Sequence, residues 1–181
     1  MKLHIGCGDK YLEGFKHYDV RKCGEHIDYI GDAGNLNIFD DNTISEIYAC
    51  HVLEHFGRHE VDDVLKEWYR VLIPKGILRI AVPDFESIVG YYNDTGDVYK
   101  IMGLLFGGQN YEYNFHKVCF DSGSMKNRLE KAGYEKIERY DWKSFLPDGY
   151  DDFSCAYLPH MDFENGRLMS LNIVCNKVNN S

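Results

Sequence analysis

The chain has 181 residues, 44% of them hydrophobic, which suits one compact domain over 1–181 and leaves no room for a second catalytic domain. Its 20 basic and 29 acidic residues leave a formal charge of −9, and the basic ones are scattered, so a nucleic-acid backbone is on balance repelled. No apolar stretch approaches the roughly 20 residues that span a bilayer, and none of the six cysteines (Cys7, Cys23, Cys50, Cys119, Cys155 and Cys175) forms a Cys-x-x-Cys pair. With no basic-then-apolar leader at the amino terminus, free thiols in a reducing cytoplasm and no membrane association are expected.

The first apolar run, Leu3-His4-Ile5, breaks into Gly6-Cys7-Gly8 and predicts a strand at about 2 to 6. Two glycines at its carboxyl end let the backbone approach a ligand that a side chain would exclude. A second strand at about 16 to 20 carries Tyr18-Asp19, where a carboxylate is placed to accept hydrogen bonds from ribose hydroxyls. A third, at about 27 to 31, ends in Gly31-Asp32-Ala33, and a fourth, at about 46 to 51, follows the turn residues Asn42 and Thr43. Between Arg58 and Ile73, apolar Val61, Val64, Leu65, Trp68, Val71 and Leu72 recur at three- and four-residue intervals, the buried stripe of an amphipathic helix. Pro74, Lys75 and Gly76 stop it, and a fifth strand at about 77 to 82 runs into Pro83-Asp84. A second helix, about 122 to 132, is expected with Ser122 or Ser124 as N-cap and Gly133 just past its end. Two last strands, about 134 to 142 and 168 to 177, flank a long loop. Strands alternating with helices predict an α/β fold.

Val71-Leu72-Ile73-Pro74-Lys75-Gly76-Ile77-Leu78-Arg79-Ile80-Ala81-Val82-Pro83-Asp84 resembles the fifth-strand region of class I S-adenosylmethionine-dependent methyltransferases, with Lys75 where a glycine is more usual. Tyr48-Ala49-Cys50-His51-Val52-Leu53-Glu54-His55-Phe56 is similar to the fourth strand and following turn of that family. The glycine turn, the acidic pair, Asn114-Phe115-His116-Lys117, Leu129 to Tyr134 and Ser170 to Val174 follow in family order, so the resemblance covers nearly the whole chain. It implies a Rossmann-like fold: a mostly parallel seven-stranded sheet with an antiparallel last strand and helices on both faces. Only about ten residues separate the first two strands, too few for the family's usual helix. A single helical turn or a direct loop bent at Gly14 is expected there.

The implied cofactor is S-adenosylmethionine. Gly6, Cys7 and Gly8 would border its methionine portion, Asp19 would hold the ribose, Asp32 and Ala33 would meet the adenine, and His51 would lie near the amino group or ribose. His116 and His55 are candidate general bases, because imidazole titrates where a hydroxyl nucleophile needs one, and Asp84 is a third candidate catalytic group. No metal is assigned. The implied acceptor is a small molecule; O-methylation of a saccharide or nucleotide sugar, as in polysaccharide biosynthesis, is expected by analogy alone. The oligomeric state is left open.

Each candidate also has a structural explanation. Asp19 and Asp32 would cap turns, His51 would be a hydrogen-bonded core residue, and His55 would cap the next segment. Phe106, Tyr111, Tyr113, Phe115, Phe145, Tyr150, Phe153 and Tyr157 are read as completing the core, with a lid or stacking platform as the alternative. Asp148 to Asp152 is read as a solvated loop tip. Two rival functions remain: a nonenzymatic S-adenosylmethionine-binding protein, and a zinc hydrolase using His51, Glu54 and His55 as an inverted H-x-x-E-H motif. Against the hydrolase, the strand running into His51 separates the two histidines from a shared helix.

Overall fold

The computed structural model describes residues 1–179. Seven strands form the main sheet: β1 (Lys2–Ile5), β2 (Lys16–Asp19), β3 (Tyr29–Ile30), β4 (Ile44–Cys50), β5 (Leu72–Pro83), β6 (Tyr134–Arg139) and β9 (Ser170–Lys177), in the order β3-β2-β1-β4-β5-β9-β6. β9 pairs antiparallel with both β5 and β6, while the other pairs are parallel. This is the expected mostly parallel sheet with an antiparallel last strand. A small ribbon of β7 (Tyr157–Leu158) and β8 (Arg167–Leu168) interrupts the long loop before β9.

The apolar stripe between Arg58 and Ile73 forms α1 (Val61–Val71), with Val61, Val64, Leu65, Trp68 and Val71 buried. The helix starts later than expected because the Gly57 amide donates to the Glu60 side chain and the Glu60 amide to the Gly57 carbonyl, a turn that holds Gly57 to Glu60 out of the helix. At its other end the buried Lys177 ammonium donates to the carbonyls of Tyr69 and Leu72, both at 2.8 Å, and to Asn42. A cation there satisfies carbonyls that have no partner inside the helix. α4 (Ser122–Ala132) has the expected bounds, but its N-cap is Asp121. The Asp121 carboxylate accepts from the Ser124 amide, and the Ser124 hydroxyl accepts from the Asp121 amide, a reciprocal box.

β5 begins at Leu72, earlier than expected. Its pairing with β4 jumps from Ile44↔Leu72 to Glu46↔Ile77, so Pro74-Lys75-Gly76 is extruded as a bulge, with Lys75 at φ +65°. That left-handed backbone explains why a glycine is usual at this position. The connection from β1 to β2 is a direct loop of turns, with Gly14 at φ +82°. The sequence reading assigns no helix between Asp84 and Ser122, yet α2 (Phe85–Thr95) and α3 (Met102–Phe106) lie there. α2 buries only Ile88 and α3 buries nothing, so neither leaves a periodic apolar signature.

Alternation along the strands divides the core. Ile47 and Ala49 of β4 join the large cluster with α1 and α4, while Tyr48 and Cys50 face the opposite side. That side is covered by the loop residues Phe15, Trp142, Phe145 and Tyr150 packing on Leu12, Ala81 and Leu146. Among the described residues no helix is long and apolar enough to cross a membrane.

His4 lies on this second side, 2% exposed, with its ring 5.0 Å from Tyr48 and 5.7 Å from His17. Burial, then the nearby His17 and His26, depress its pKa from 6.5 to about 3. The unfolded chain therefore binds this proton more readily, and stability should fall as pH drops from about 6.5 towards 3, by at most about 1.4 kcal/mol per pH unit from this group. Urea midpoints at a series of pH values are expected to show the decline, with a shallower slope in His4→Gln; an unchanged slope would assign the loss to other groups.

Candidate active site

Parallel pairing aligns the carboxyl ends of β1 and β4, since Ile5 is level with Ala49, and a cleft of about 600 Å³ opens at that edge. Gly6-Cys7-Gly8 forms one wall. Gly6 and Gly8 have φ of +64° and +57°. A Cβ at Gly6 would strike Val52 at 2.3 Å, whereas one at Gly8 would meet nothing within 4 Å and so would occupy open space beside the turn. The Gly6 amide donates to the Tyr18 carbonyl at 2.7 Å and the Gly8 amide to Asp19 Oδ2 at 2.8 Å. The other Asp19 oxygen accepts from the Arg21 amide at 3.0 Å. Asp19 thus anchors the glycine turn from behind while remaining 7% exposed. Burial and the adjacent Asp19 push the Cys7 thiol up to about 12, so it is neutral and unreactive at neutral pH.

The opposite wall begins where β4 ends. His51 takes φ +53°, which turns the chain out of the strand, and Leu53–His55 make a single 3-10 turn. The two histidines of the H-x-x-E-H motif therefore share no α-helix, and the zinc-protease geometry is not formed. The Lys117 amide donates to the Glu54 carbonyl at 2.8 Å and the His116 amide to the Phe106 carbonyl, which lays 114–117 across this turn. His55 and His116 then face each other, with ring centroids 4.9 Å apart. His116 Nδ1 lies 2.9 Å from the Leu104 carbonyl and His55 Nδ1 3.2 Å from that of Phe115. A carbonyl only accepts, so each ring is protonated at Nδ1 and carries its lone pair at Nε2. Burial lowers the pKa of all three histidines, His51 to about 3 and His55 to about 4, so all are neutral at pH 7.

Of the sequence-predicted residues, Gly6, Cys7, Gly8, His51, His55 and His116 line the cleft together. Asp19 stands behind the glycine turn. Asp32 and Ala33 lie farther along the same sheet edge. The exposed Asp32 carboxylate accepts from the Gly34 amide, and the Ala33 carbonyl accepts from Trp68. Asp84 does not line the cleft: it caps α2 through the Glu86 amide, pairs with Arg139 and is 2% exposed.

The loop aromatics divide: Phe145 and Tyr150 pack against the second core cluster, as the core reading has it, whereas five others depart from that reading. Phe106, Tyr111, Tyr113, Phe115 and Phe153 are exposed. Phe153 covers His51 at 5.1 Å, and Tyr111 lines the cleft with the Arg21 guanidinium 3.8 Å from its ring centre. Asp152 is not part of a solvated tip, since it accepts a 2.6 Å hydrogen bond from the buried Tyr48 hydroxyl. Lys10, Lys100, Asn114 and His160 also line the cleft. Lys10 and His160 lie in loops and Lys100 in a short 3-10 turn, none of them marked by a motif, whereas Asn114 belongs to the Asn114-to-Lys117 stretch of the family resemblance.

A seven-stranded sheet in this order, with its antiparallel strand second from the edge and a glycine turn at the end of β1, defines the class I methyltransferase fold. Residues 12–80 match a family model described as a methyltransferase domain, which takes in Asp19, Asp32, His51 and His55. The chain is 29% identical over 113 residues, 62% of its length, to the 25S rRNA (adenine(645)-N(1))-methyltransferase of Saccharomyces cerevisiae. It spans only 25% of that protein's length. Among solved structures, a SAM-dependent methyltransferase of Archaeoglobus fulgidus superposes with a TM-score of 0.59 at 17% identity, over 97% of this chain and 85% of the other. The methyltransferase solved with the Haloferax volcanii Trm112 methyltransferase activator gives 0.60 at 14% identity, over 99% and 82%. The fold is thus that of class I S-adenosylmethionine-dependent methyltransferases, and residues 12–80 are similar to a methyltransferase domain.

Proposed function

We propose that residues 1–181 act as one methyltransferase domain that methylates a small polar acceptor, a hydroxyl of a saccharide or nucleotide sugar being the first class to test. The observation that carries this reading is the left-handed Gly6-Cys7-Gly8 turn, anchored by Asp19 and open at Gly8 onto the cleft. A backbone that can approach a ligand at the carboxyl edge of a parallel sheet suits the methionine and ribose portions of the cofactor. In this reading Gly6, Cys7 and Gly8 border the methionine portion, Asp19 the ribose, Asp32 and Ala33 the adenine, and His51 the amino group or ribose. S-adenosylmethionine, when bound, supplies a methyl made electrophilic by its sulfonium.

The chain's own part is to orient the acceptor and take up its proton. In this reading the neutral Nε2 atoms of His116 and His55 take up that proton. The exposed rings of Phe153 and Tyr111 offer faces for a sugar, and the charge of −9 favours a small acceptor over a polyanion. A nucleic-acid acceptor is the second reading, favoured by the rRNA methyltransferase similarity.

Calorimetric titration with S-adenosylmethionine and S-adenosylhomocysteine is the first test, and micromolar binding of either is expected. An acceptor screen with labelled cofactor then separates the readings: methylated sugars support the first, methylated RNA the second, and binding without any turnover a nonenzymatic role. Asp19→Ala should weaken cofactor binding by about 1.5 to 3 kcal/mol, through loss of the ribose contacts and release of the Gly8 amide. Unchanged affinity in a folded variant rejects the assignment.

A further inference from the structure

We propose that Glu54, His55 and His116 form a binding site for a divalent transition-metal ion at the base of the cleft. Each offers one ligand atom, and the three atoms lie within 4.8 Å of one another. Ligands around a tetrahedral ion at about 2.0 to 2.2 Å stand about 3.4 Å apart, so small side-chain rotations complete the shell.

The carboxylate is the stronger observation. Glu54 is 0% exposed, and neither of its oxygens has a hydrogen-bond partner among the described residues. Its nearest polar neighbours are His51 Nδ1 at 3.2 Å, poorly aligned, and His116 Nε2 at 3.8 Å from Oε1. Burying a carboxyl group without partners costs several kcal/mol in apolar transfer terms, and such groups call for a compensating ligand. A cation held between Glu54 and the two imidazoles supplies it.

The second shell is already built. The carbonyls of Leu104 and Phe115 hold the Nδ1 protons of His116 and His55, the arrangement that fixes the tautomer of a metal-ligating imidazole. Two imidazoles and one carboxylate select zinc, manganese, iron or cobalt over calcium, and leave coordination positions free. Since His55 and His116 line the cleft, those positions open onto it. This set differs from the H-x-x-E-H motif, because His116 from a distant loop takes the place of His51. Resting on the function proposed above, the ion would bind the acceptor hydroxyl and lower its pKa, so that its proton passes to water in the open cleft as the methyl is transferred, and the imidazoles serve as ligands in place of bases.

The test is a titration of the full chain, stripped with a chelator, with Co²⁺ followed by visible absorption and with Zn²⁺ followed by calorimetry. One equivalent of Co²⁺ with d–d bands, displaced by Zn²⁺, is expected. His116→Ala and Glu54→Gln should each weaken binding by about tenfold to a hundredfold, in line with loss of one ligand. Thermal melts check that each variant is folded, and His116→Ala carries the test if Glu54→Gln is not. S-adenosylmethionine affinity of the same variants should stay within about threefold, as for sites with separate ligands. No binding tighter than millimolar by the wild-type chain, or equal binding by folded His116→Ala, overturns the site. Metal binding without cofactor binding supports the site and overturns the methyltransferase function instead.

Discussion

His116→Ala is expected to lower turnover of the methyl acceptor by roughly a hundredfold or more while leaving S-adenosylmethionine affinity nearly intact. The ring is held on the Leu104 carbonyl, neutral through burial, and directed at Glu54 and His55 rather than at the glycine turn. Its loss therefore removes a proton acceptor or a metal ligand without touching the Asp19 anchor. Turnover with and without added Zn²⁺ distinguishes the two roles. A free base acts equally in the stripped protein, whereas a ligand requires the ion. Equal losses in turnover and cofactor affinity would instead make His116 a cofactor contact or a structural residue.

Trp68→Ala is expected to cost about 3 to 5 kcal/mol of folding stability, the usual range for deleting a fully buried aromatic ring. Trp68 is 0% exposed at the centre of the α1 stripe, and its indole donates to the Ala33 carbonyl at 2.8 Å. Trp68→Phe retains most of the packing and loses chiefly that hydrogen bond, so about 1 to 2 kcal/mol is expected from it. Urea denaturation measures both. An unchanged midpoint in Trp68→Ala would contradict the packing described here. Because Ala33 lies in the turn proposed for the adenine, Trp68→Phe should also weaken cofactor binding modestly, which calorimetry resolves.

The strands were legible where short apolar runs met glycine or polar breaks, and α1 where five buried side chains recurred with helical spacing. α4 was legible from Gly133, which sits at φ +100°, although its cap is a carboxylate rather than a serine hydroxyl. α2 and α3 were not, because a helix lying on the surface with at most one buried residue carries almost no period. Lys75 was visible as a departure from a family pattern. Only the shifted pairing of β4 with β5 gave it a physical meaning, as a left-handed bulge residue.

The antiparallel closing strand was implied by the family resemblance; the amino-acid sequence by itself determined the α/β order, the glycine turn after β1 and the acid at the end of β2. These depend on local backbone freedom and on apolar periods that neighbouring residues carry. Only the tertiary structure decided which candidates meet. It withdrew Asp84 into a helix cap, exposed five of the loop aromatics, and placed His116 against Glu54 and His55 through the backbone bond from Lys117 to Glu54. Such contacts join segments distant in the chain, and no period or spacing along one segment encodes them.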